Sequence, residues 1–419
     1  MNLLSLARIA LASAVFAVGT LHAGLVVVHS QWMGDWGSGQ AFAEETAAQA
    51  PAFGILLGCE FQIFLHNAGA TSAGVESLRL DGQEVSAWQG GEVVWHRLLP
   101  SRIPPGGTGQ YTIRFRVRPA SPCRVDLNRG SDTAISLAVD PAASPRRFRF
   151  DRVAFDPREP LARVYLRSRD GKPLAGIQVS LPDDAAAHGN VGTAQYFRDI
   201  CAVDIGFAAA PALGSYLYLK AQDEVGETVA CLSRVTDGFM PLGSFDGGDA
   251  DLPAFVRAGL NTLVMHGGVP RSLLDQAERL GIRVIADLKL APPGEDQRAH
   301  PAVWSYLIVD EPDMLDWQYH RTNPATPPVS WGDQVGHHAP RCVETYAATA
   351  ALDPMRPLAL NLDMTYKPDN WYTYGHVPDV FMHDNYPLMY GGTLNMTWRT
   401  QREVRSAAAP NPTVALYQN

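Results

Sequence analysis

The stretch His300–Asp313, HPAVWSYLIVDEPD, decides how the rest of this chain is interpreted. Its centre, Val303–Val309, is an almost continuous run of β-branched and aromatic residues, which is typical of a strand buried on both faces of a parallel sheet. Asp310 and Glu311 follow the run, and Pro312 then prevents further strand pairing. We therefore expect both acids at the C-terminal mouth of the strand, where a (β/α)8 barrel assembles its chemistry. The alternative is that these residues only begin a loop, with Asp310 capping the next helix.

Alternating strands and helices surround this stretch between residues 237 and 419. Seven strands are predicted, with His300–Glu311 as the fourth. The other six are Phe239–Phe245, Leu260–Met265, Ile282–Leu288, Pro357–Leu362, Asp379–His383 and Thr413–Tyr417. This alternation requires a parallel sheet with helical crossovers. The predicted fold class is an α/β, TIM-type (β/α)8 barrel that is truncated after strand seven, so we expect the chain to be a fragment. A natural seven-stranded barrel and a different α/β sheet are the alternatives.

Two all-β units are predicted before the barrel, since 419 residues suffice for two to four domains. Short alternating strands with turn signals between them predict one β-sandwich over 53–143 and a second over 144–236. The clearest strands are Cys59–Leu65, Tyr111–Val117, Ala162–Ser168 and Ser215–Ala221. Neither unit groups catalytic residue types, so both are interpreted as accessory sandwiches that either bind carbohydrate or simply pack on the barrel.

The N-terminus has the three parts of an export signal. A basic start, the apolar run Ile9–Val18 and small residues up to Ala23 predict a signal peptide over 1–23 and a linker over 24–52. A second cleavage site follows Ala43, and an uncleaved anchor is the alternative. We expect a secreted or periplasmic protein without stable membrane insertion after cleavage.

Export permits disulfides, and the chain has five cysteines. Their placement is compatible with bridges Cys59–Cys123 and Cys201–Cys231 and a free thiol at Cys342, although spacing does not determine the pairing.

The net charge and the absence of certain motifs exclude several classes of function. The 34 basic and 43 acidic residues leave a formal charge of -9 with no basic run, which argues against nucleic acid as a partner and suits an uncharged polar substrate. The sequence lacks a GxSxG elbow, a phosphate-binding glycine loop and HExxH. Since His337 and His338 are adjacent, they are interpreted as exposed loop residues rather than metal ligands. No cofactor and no metal are expected.

The predicted strand ends deliver carboxylates, amides and aromatic rings. A sugar needs hydrogen bonds around its hydroxyl groups and an apolar ring against its C–H face, so this mixture suits an oligo- or polysaccharide. A long aromatic-rich loop, Asp313–Arg341, is expected to form subsites or to pack on a neighbouring domain. The candidate substrate-binding residues are His266, Asp287, Trp317, Asp363, Trp371, Asn385, Tyr386 and Gln418.

These residues carry a resemblance to a known family. The frame FMPLGSF, AGLNTLVMH, LGIRVIADL, HPAVWSYLIVDEPD, LDPMRPLALNLD and PDVFMHDNYP resembles bacterial (β/α)8-barrel glycoside hydrolases of the large retaining clan, particularly secreted members with N-terminal β-sandwiches. The resemblance implies that Glu311, at the end of strand four, is the general acid/base. Many clan members have Asn where this chain has Asp310, and an ionised Asp can only accept hydrogen bonds.

The residues leave three possibilities for the second catalytic carboxylate. The clan places a nucleophilic Glu at the end of strand seven, about 5 Å from the acid, whereas Gln418 stands there in this chain. Either the Glu lies beyond Asn419, or Asp384 takes the role, or the barrel binds without cleaving. If Asp384 lies opposite Glu311, inverting chemistry at about 6.5–9.5 Å is expected; otherwise Asp384 only orients a loop. The prediction is a secreted glycoside hydrolase with Glu311, Asp310 and Asp384 as catalytic residues. The rivals are a non-catalytic exported carbohydrate-binding protein and a purely structural surface protein.

Overall fold

A computed structural model provides the structure, in which five sheets are described. The described residues are 24–33, 60–85, 93–116, 118–128, 130–142, 148–156, 159–168, 171–181, 190–191, 194–207, 209–224, 226–232, 239, 241–246, 251–316, 336–363, 368–385, 401 and 404–417. Within them, four sheets of the N-terminal half are antiparallel and the C-terminal sheet is parallel. No helix in these ranges has both the length and the apolar character needed to cross a membrane.

The first unit is a sandwich of two four-stranded sheets. Its strands are β1 (Leu25–Met33), β2 (Glu60–Asn67), β3 (Leu78–Leu80), β4 (Gln83–Glu84), β5 (Val93–Leu99), β6 (Thr108–Phe115), β7 (Cys123–Leu127) and β8 (Ile135–Val139). The sheet orders are β1-β2-β6-β5 and β4-β3-β7-β8. Alternate residues of both sheets, among them Ile63, Ile113 and Val125, meet in one apolar core.

The strand β1 corrects the predicted linker. Residues 25–33 pair antiparallel with β2, and Trp32 is buried in the sandwich core. The Gln31 side chain also donates to the Gln62 side chain at 3.0 Å and to the Val229 carbonyl at 2.8 Å. The linker prediction is therefore wrong for these residues, because their apolar members complete a core that is formed by distant strands.

The second unit is another antiparallel sandwich. Its strands are β9 (Phe148–Phe155), β10 (Leu161–Ser168), β11 (Gln178–Ser180), β12 (Asn190–Val191), β13 (Gln195–Phe197), β14 (Ile200–Gly206), β15 (Leu217–Gln222) and β16 (Glu227–Leu232). One sheet has the order β12-β14-β10-β9, with β13 also on β14, and the other has the order β11-β15-β16. Val164, Val203 and Leu219 lie in the core between the sheets.

The cysteines of this unit do not form the expected bridge. Cys201 is a free thiol in the core of the second sandwich, where Ala230 of β16 also lies. Cys231 follows Ala230 in β16 and points to the opposite face of that strand, where it packs with Phe64 of the first sandwich. The predicted Cys201–Cys231 disulfide is wrong because successive strand residues face opposite sides. Cys59 lies outside the described residues.

The C-terminal unit is a seven-stranded parallel sheet with helical crossovers. Its strands are β17 (Gly243–Asp246), β18 (Thr262–Met265), β19 (Arg283–Asp287), β20 (Val303–Asp310), β21 (Leu358–Leu362), β22 (Val380–Asn385) and β23 (Thr413–Tyr417). The helices with described bounds are α1 (Leu252–Arg257), α2 (Arg271–Arg279), α3 (Glu295–Ala299), α4 (Ala339–Leu352) and α5 (Pro368–Tyr374). The strands lie in sequence order, β17 to β23, and β20 is the fourth, as predicted.

The two faces of this sheet have different partners. One face contributes Val264, Ile285, Leu307, Ala359 and Met382 to a single interior cluster, although these residues come from five neighbouring strands. The other face packs against the helices in two larger clusters. The sheet is therefore curled around its interior cluster as a partial barrel.

The first sandwich shares a core with this partial barrel. Trp95 of β5 is 1% exposed and lies in one cluster with Tyr346 of α4 and Trp371 of α5. Its indole N–H donates to the Thr373 carbonyl at 2.8 Å, so the polar edge of the ring is also satisfied.

Charged side chains also stabilise the interface between the first sandwich and the partial barrel. Arg97 donates to the backbone carbonyls of His376 and Val377. His376 Nδ1 lies 2.9 Å from both carboxylate oxygens of Glu60, and its Nε2 lies 2.9 Å from the Ala409 carbonyl. Burial acts to raise the pKa of Glu60, but the charge and hydrogen bond of His376 outweigh it and lower that pKa. Glu60 is therefore held as a buried carboxylate.

The second sandwich is joined to the barrel by two arginines. Arg149 donates to the Ser406 carbonyl at 2.7 Å, and Arg405 donates to Asp151 at 2.7 Å. Both sandwiches therefore contact the barrel directly. These contacts can hold the three units in a fixed orientation.

We expect Trp95→Ala to destabilise the protein by about 3–5 kcal/mol, because it leaves a cavity in a core shared by two units. Unfolding followed by circular dichroism measures the loss. The matched control is Phe197→Ala, since that ring is 59% exposed and its removal should change stability by less than about 0.5 kcal/mol. Equal effects of the two substitutions would contradict the shared core.

Candidate functional site

The position of the acid pair depends on a bulge in β20. Leu307 pairs with Ala359 and Asp310 pairs with Asn361, so three steps along β20 match two steps along β21. Leu307 points to the barrel interior. Strict alternation would turn Asp310 to the helical side, but the extra residue brings it back to the interior.

Glu311 adopts an unusual backbone conformation directly after the bulge. Its φ is +44°, in the left-handed region that non-glycine residues rarely occupy. Its N–H donates to the Asn361 carbonyl at 3.0 Å, and its carbonyl accepts from the N–H groups of Met314 and Leu315. Strain of this kind costs about 1–3 kcal/mol and is concentrated at functional sites, where the surrounding bonds hold it in place.

The carboxyl group of Glu311 is protonated near neutral pH. Burial, the hydrogen bond to Asp384 and the nearby charges of Asp310 and Asp363 together raise its pKa to about 9. The hydrogen bond raises that pKa because the protonated carboxyl group of Glu311 donates it to Asp384. Glu311 and Asp384 therefore share one proton, as carboxylates in direct contact do.

This contact corrects one expectation. Inverting chemistry with Asp384 requires a sugar and a water molecule between the two carboxyl groups, at about 6.5–9.5 Å. Hydrogen-bonded oxygens lie about 2.5–3.0 Å apart. The placement of Asp384 across the substrate from Glu311 is therefore wrong, because β20 and β22 deliver both groups to the same side of the mouth.

Asp310 belongs to a second group of contacts beside the pair. The Asn361 amide donates to Asp310 at 2.9 Å, and His266 Nδ1 lies 3.5 Å from Asp310 and 3.9 Å from Asp287. Burial raises the pKa of Asp310, and the charge of Asp287 acts in the same direction, against Asn361 and His266. Asp287 also accepts from the N–H groups of Gly267 and Lys289, which orients two strand ends.

Two residues of the mouth were not predicted. Asn361 is fully buried on the same face of β21 as Asp363, and one amide within the apolar run PLALNL, two residues before Asp363, was the available signal. Asp313 is also fully buried and accepts from the Asp363 N–H at 3.2 Å. Its role could not be derived from local sequence, because its partner lies 50 residues later.

A third unpredicted residue, an acid, connects the two ends of the long loop. Asp316 is fully buried and accepts from the N–H groups of Gly336 and His338 and from the Tyr374 hydroxyl. The His338 ring also lies 2.6 Å from it. The interpretation of His338 as an exposed loop residue is therefore wrong, since its ring is hydrogen-bonded to the buried carboxylate of Asp316.

The remaining candidates divide into three groups. His266, Asp287, Asp363 and Asp384 meet at the mouth with Asp310 and Glu311. Trp371 is 1% exposed and packs in the core behind the sheet, so its predicted role at the sugar site is wrong: it presents no free ring face. Trp317, Tyr386, Gln418 and the side chain of Asn385 lie outside the described residues.

One cluster with metal-ligand composition lies away from the mouth. Asp275, Glu278 and His300 bring their ligand atoms within 4.8 Å of one another. However, His300 Nδ1 accepts from the Ala302 N–H at 3.2 Å, so the neutral ring carries its proton on Nε2, which faces Asp275 at 3.1 Å. A metal at Nε2 would require loss of that proton, so this cluster is explained as a structural hydrogen bond.

Similarity to known proteins is confined to solved structures. No protein-family model matches the sequence, and no curated protein matches it. A β-glucuronidase from Bacteroides uniformis matches with a TM-score of 0.36 and 10% identity over 85% of this chain. An FMN-binding β-glucuronidase from Faecalibacterium prausnitzii L2-6 matches with a TM-score of 0.33 and 13% identity, also over 85%. A β-galactosidase from Rahnella sp. R3 matches over 37% of this chain and 40% of its own, with a TM-score of 0.27 and 13% identity. The chain spans 52% and 65% of the two glucuronidases.

We expect Glu311→Gln to stabilise the protein increasingly as pH rises from about 4.5 to about 9. Between the ordinary pKa of 4.5 and the folded value of about 9, the native protein holds a proton that the unfolded chain has released, so the parent loses stability with rising pH. Since the group is partly exposed, solvent screening reduces the expected gain to on the order of 1–2 kcal/mol near pH 9.

Thermal unfolding of parent and variant between pH 5 and pH 9 measures this difference. The matched control is Glu84→Gln, because Glu84 is exposed in the first sandwich. A constant difference between Glu311→Gln and the parent across that range would show that Glu311 titrates normally.

Proposed function

We propose that this chain is the sandwich and partial-barrel part of a glycoside hydrolase, with Glu311 as the general acid. The observation that carries this proposal is the carboxyl group of Glu311, which is hydrogen-bonded to Asp384 at the mouth and whose pKa of about 9 keeps it protonated at neutral pH. Cleavage of a glycosidic bond requires a proton donor at the leaving oxygen, and an ordinary exposed glutamate is ionised at that pH. The fold supports the proposal because the acids lie at the C-terminal ends of parallel strands.

The proposed acid step follows from the shared proton. As the glycosidic C–O bond breaks, Glu311 donates its proton to the leaving oxygen and becomes a carboxylate. Over the whole hydrolysis, water forms the new C–O bond at the anomeric carbon and releases one proton, which restores the acid form of Glu311. In the free site that proton lies between Glu311 and Asp384, so bound substrate must take over the hydrogen bond from Asp384. Asp384 is thus a positioning residue, which raises the pKa of the acid and holds its rotamer before substrate binds.

A second candidate function is carbohydrate binding without cleavage. It is favoured by the same Glu311–Asp384 contact, because cleavage also needs a carboxylate across the sugar and Asp384 does not occupy that place. Saturable sugar binding without turnover would identify this function.

We expect Glu311→Gln to lower kcat/KM for alkyl or phenyl glycosides by about 10²–10⁴-fold. The loss should be smaller for dinitrophenyl glycosides, because that leaving group departs without a proton. Asp384→Asn should retain activity. With rising pH, however, its activity should fall at a lower pH than that of the parent, because removing Asp384 lowers the pKa of Glu311. Hydrolysis of an aryl glycoside panel across pH 5–10 measures all three effects.

The control for these variants is Asp132→Asn, which removes an exposed carboxylate in the first sandwich. Its rates should equal those of the parent. Unchanged turnover of phenyl glycosides by Glu311→Gln would exclude Glu311 as the acid.

We also propose that the protein is exported and cleaved after Ala23. Gly24 accepts from the Ala68 N–H, and β1 begins at Leu25, so this cut preserves the first sandwich. Cleavage after Ala43 would remove β1 together with the core residue Trp32. We expect the mature protein to begin at Gly24, as measured by N-terminal sequencing of exported material. A mature start at Glu44 or an intact Met1 would contradict this proposal.

A further inference from the structure

We propose that His266 is the general base that activates water for the hydrolysis, so that the reaction inverts the anomeric configuration. This inference rests on the proposed function and assigns the role that the contact between Asp384 and Glu311 leaves open. It follows from three features of His266: the exposure of its side chain, the carboxylates that face its Nδ1 and the side of the mouth on which it lies.

The side chain of His266 is accessible. It is 52% exposed directly after β18, whereas the side chains of Asp310 and Asp287 beside it are 20% and 2% exposed. Asp287 also accepts from the backbone N–H groups of Gly267 and Lys289. A group that takes a proton from water must contact that water, so His266 meets this requirement better than either neighbouring acid.

The neighbours of His266 determine which ring nitrogen can take a proton. Nδ1 lies 3.5 Å from Asp310 and 3.9 Å from Asp287. An ionised carboxylate only accepts hydrogen bonds, so the neutral ring carries its proton on Nδ1 and keeps the lone pair of Nε2 for water. The other described groups near the ring are Phe245, at 5.7 Å between ring centroids, and Lys289, whose Nζ lies near the next residue.

The orientation of Asp310 is determined in turn by its own contacts. The bulge in β20 brings Asp310 to the inner side of the sheet, and the Asn361 amide donates to its carboxylate at 2.9 Å. The contacts thus run from a buried amide to a carboxylate, and from that carboxylate to an accessible imidazole. In such an order the carboxylate orients the general base and stabilises the positive charge that the ring gains. Asp310 is therefore a positioning residue for His266.

His266 lies on the opposite side of Glu311 from Asp384. The sheet order places β18 two strands before β20 and β22 two strands after it. The carboxyl group of Glu311 contacts Asp384 of β22, so it is turned away from β18. Two strand spacings amount to about 9–10 Å. This separation leaves room for the sugar and the water that an inverting pair at about 6.5–9.5 Å requires.

The proposed step exchanges one bond at the anomeric carbon and moves two protons. The water oxygen forms the new C–O bond, and one water proton passes to Nε2 of His266. The glycosidic C–O bond breaks, and its oxygen takes the proton of Glu311. One proton then returns from the imidazolium of His266 to the carboxylate of Glu311 through solvent before the next turnover. A group that only takes a proton from water can be an imidazole, whereas retaining enzymes form their covalent intermediate on a carboxylate.

The experiment uses the full chain and the aryl glycosides that the parent hydrolyses. Proton NMR of the first product should show inversion of the anomeric configuration. His266→Ala should lower kcat/KM by about 10²–10⁴-fold for phenyl and dinitrophenyl glycosides alike, because the attacking water needs the base whatever the leaving group is. Azide attacks without a base, so it should restore turnover of His266→Ala and form a glycosyl azide of inverted configuration.

Two further variants separate the proposed role from an effect on folding. His266→Gln keeps a side chain that forms hydrogen bonds but cannot take the proton, so it should behave as His266→Ala does. Asp310→Asn should lower kcat at least about tenfold with little change in KM, and azide should raise its rate, which a structural disturbance of the mouth would not produce. The control is His66→Ala, because this ring lies in β2 beside Thr108, and its loss should change neither the rates nor their response to azide.

The outcomes separate this inference from the proposed function. Retention of configuration, or parent-like turnover by both His266 variants, would overturn the base role of His266 and leave the hydrolase standing. A loss of activity in both variants that azide does not relieve would also overturn the base role, because the ring would then act on binding or folding. If the parent hydrolyses none of the glycosides, the hydrolase and the general base are both refuted.

Discussion

The apolar layer inside the curled sheet is the constraint on which the rest of this structure depends. Leu307 of β20 meets residues of neighbouring strands there, such as Ile285 and Met382, and together they close the interior below the mouth. Strands pack side by side around one layer only if each presents an alternate residue inward. The next inward positions along the strands are then at the mouth, and in this chain they are occupied by Asp287, Asn361 and Asp384. Burial of the apolar layer thus determines where the acids gather.

Gathering acids at a partly buried mouth is unfavourable, and the structure shows how the cost is reduced. Glu311 keeps its proton and donates a hydrogen bond to Asp384, so that one of the two charges is removed. Asp310 accepts from Asn361, and Asp287 accepts from two backbone N–H groups.

The two sandwiches act on this site from outside. Trp95 lies in the same core as helices α4 and α5, which flank β21. Arg97 and the buried ion pair of His376 and Glu60 hold the segment that follows α5. Because α5 leads directly into β22, this interface positions the strand that carries Asp384. The sandwiches are therefore part of the scaffold of the mouth. This agrees with the expectation that they pack on the barrel and does not require them to bind carbohydrate.

The sequence by itself determined the secondary-structure elements and many of the residues that lie at the mouth. Period-two runs identified both sandwiches, and buried runs between helices identified all seven parallel strands, with Glu311 at the end of the fourth. These features depend on residues close in the chain, so local patterns reveal them. The tertiary structure alone decided the rest: the bulge that turns Asp310 inward, the contact of Glu311 with Asp384, the buried position of Trp371 and the strand β1 within the expected linker. Each of these depends on a partner distant in sequence, because burial, register and the pKa of a carboxyl group are set by whatever the fold brings beside it.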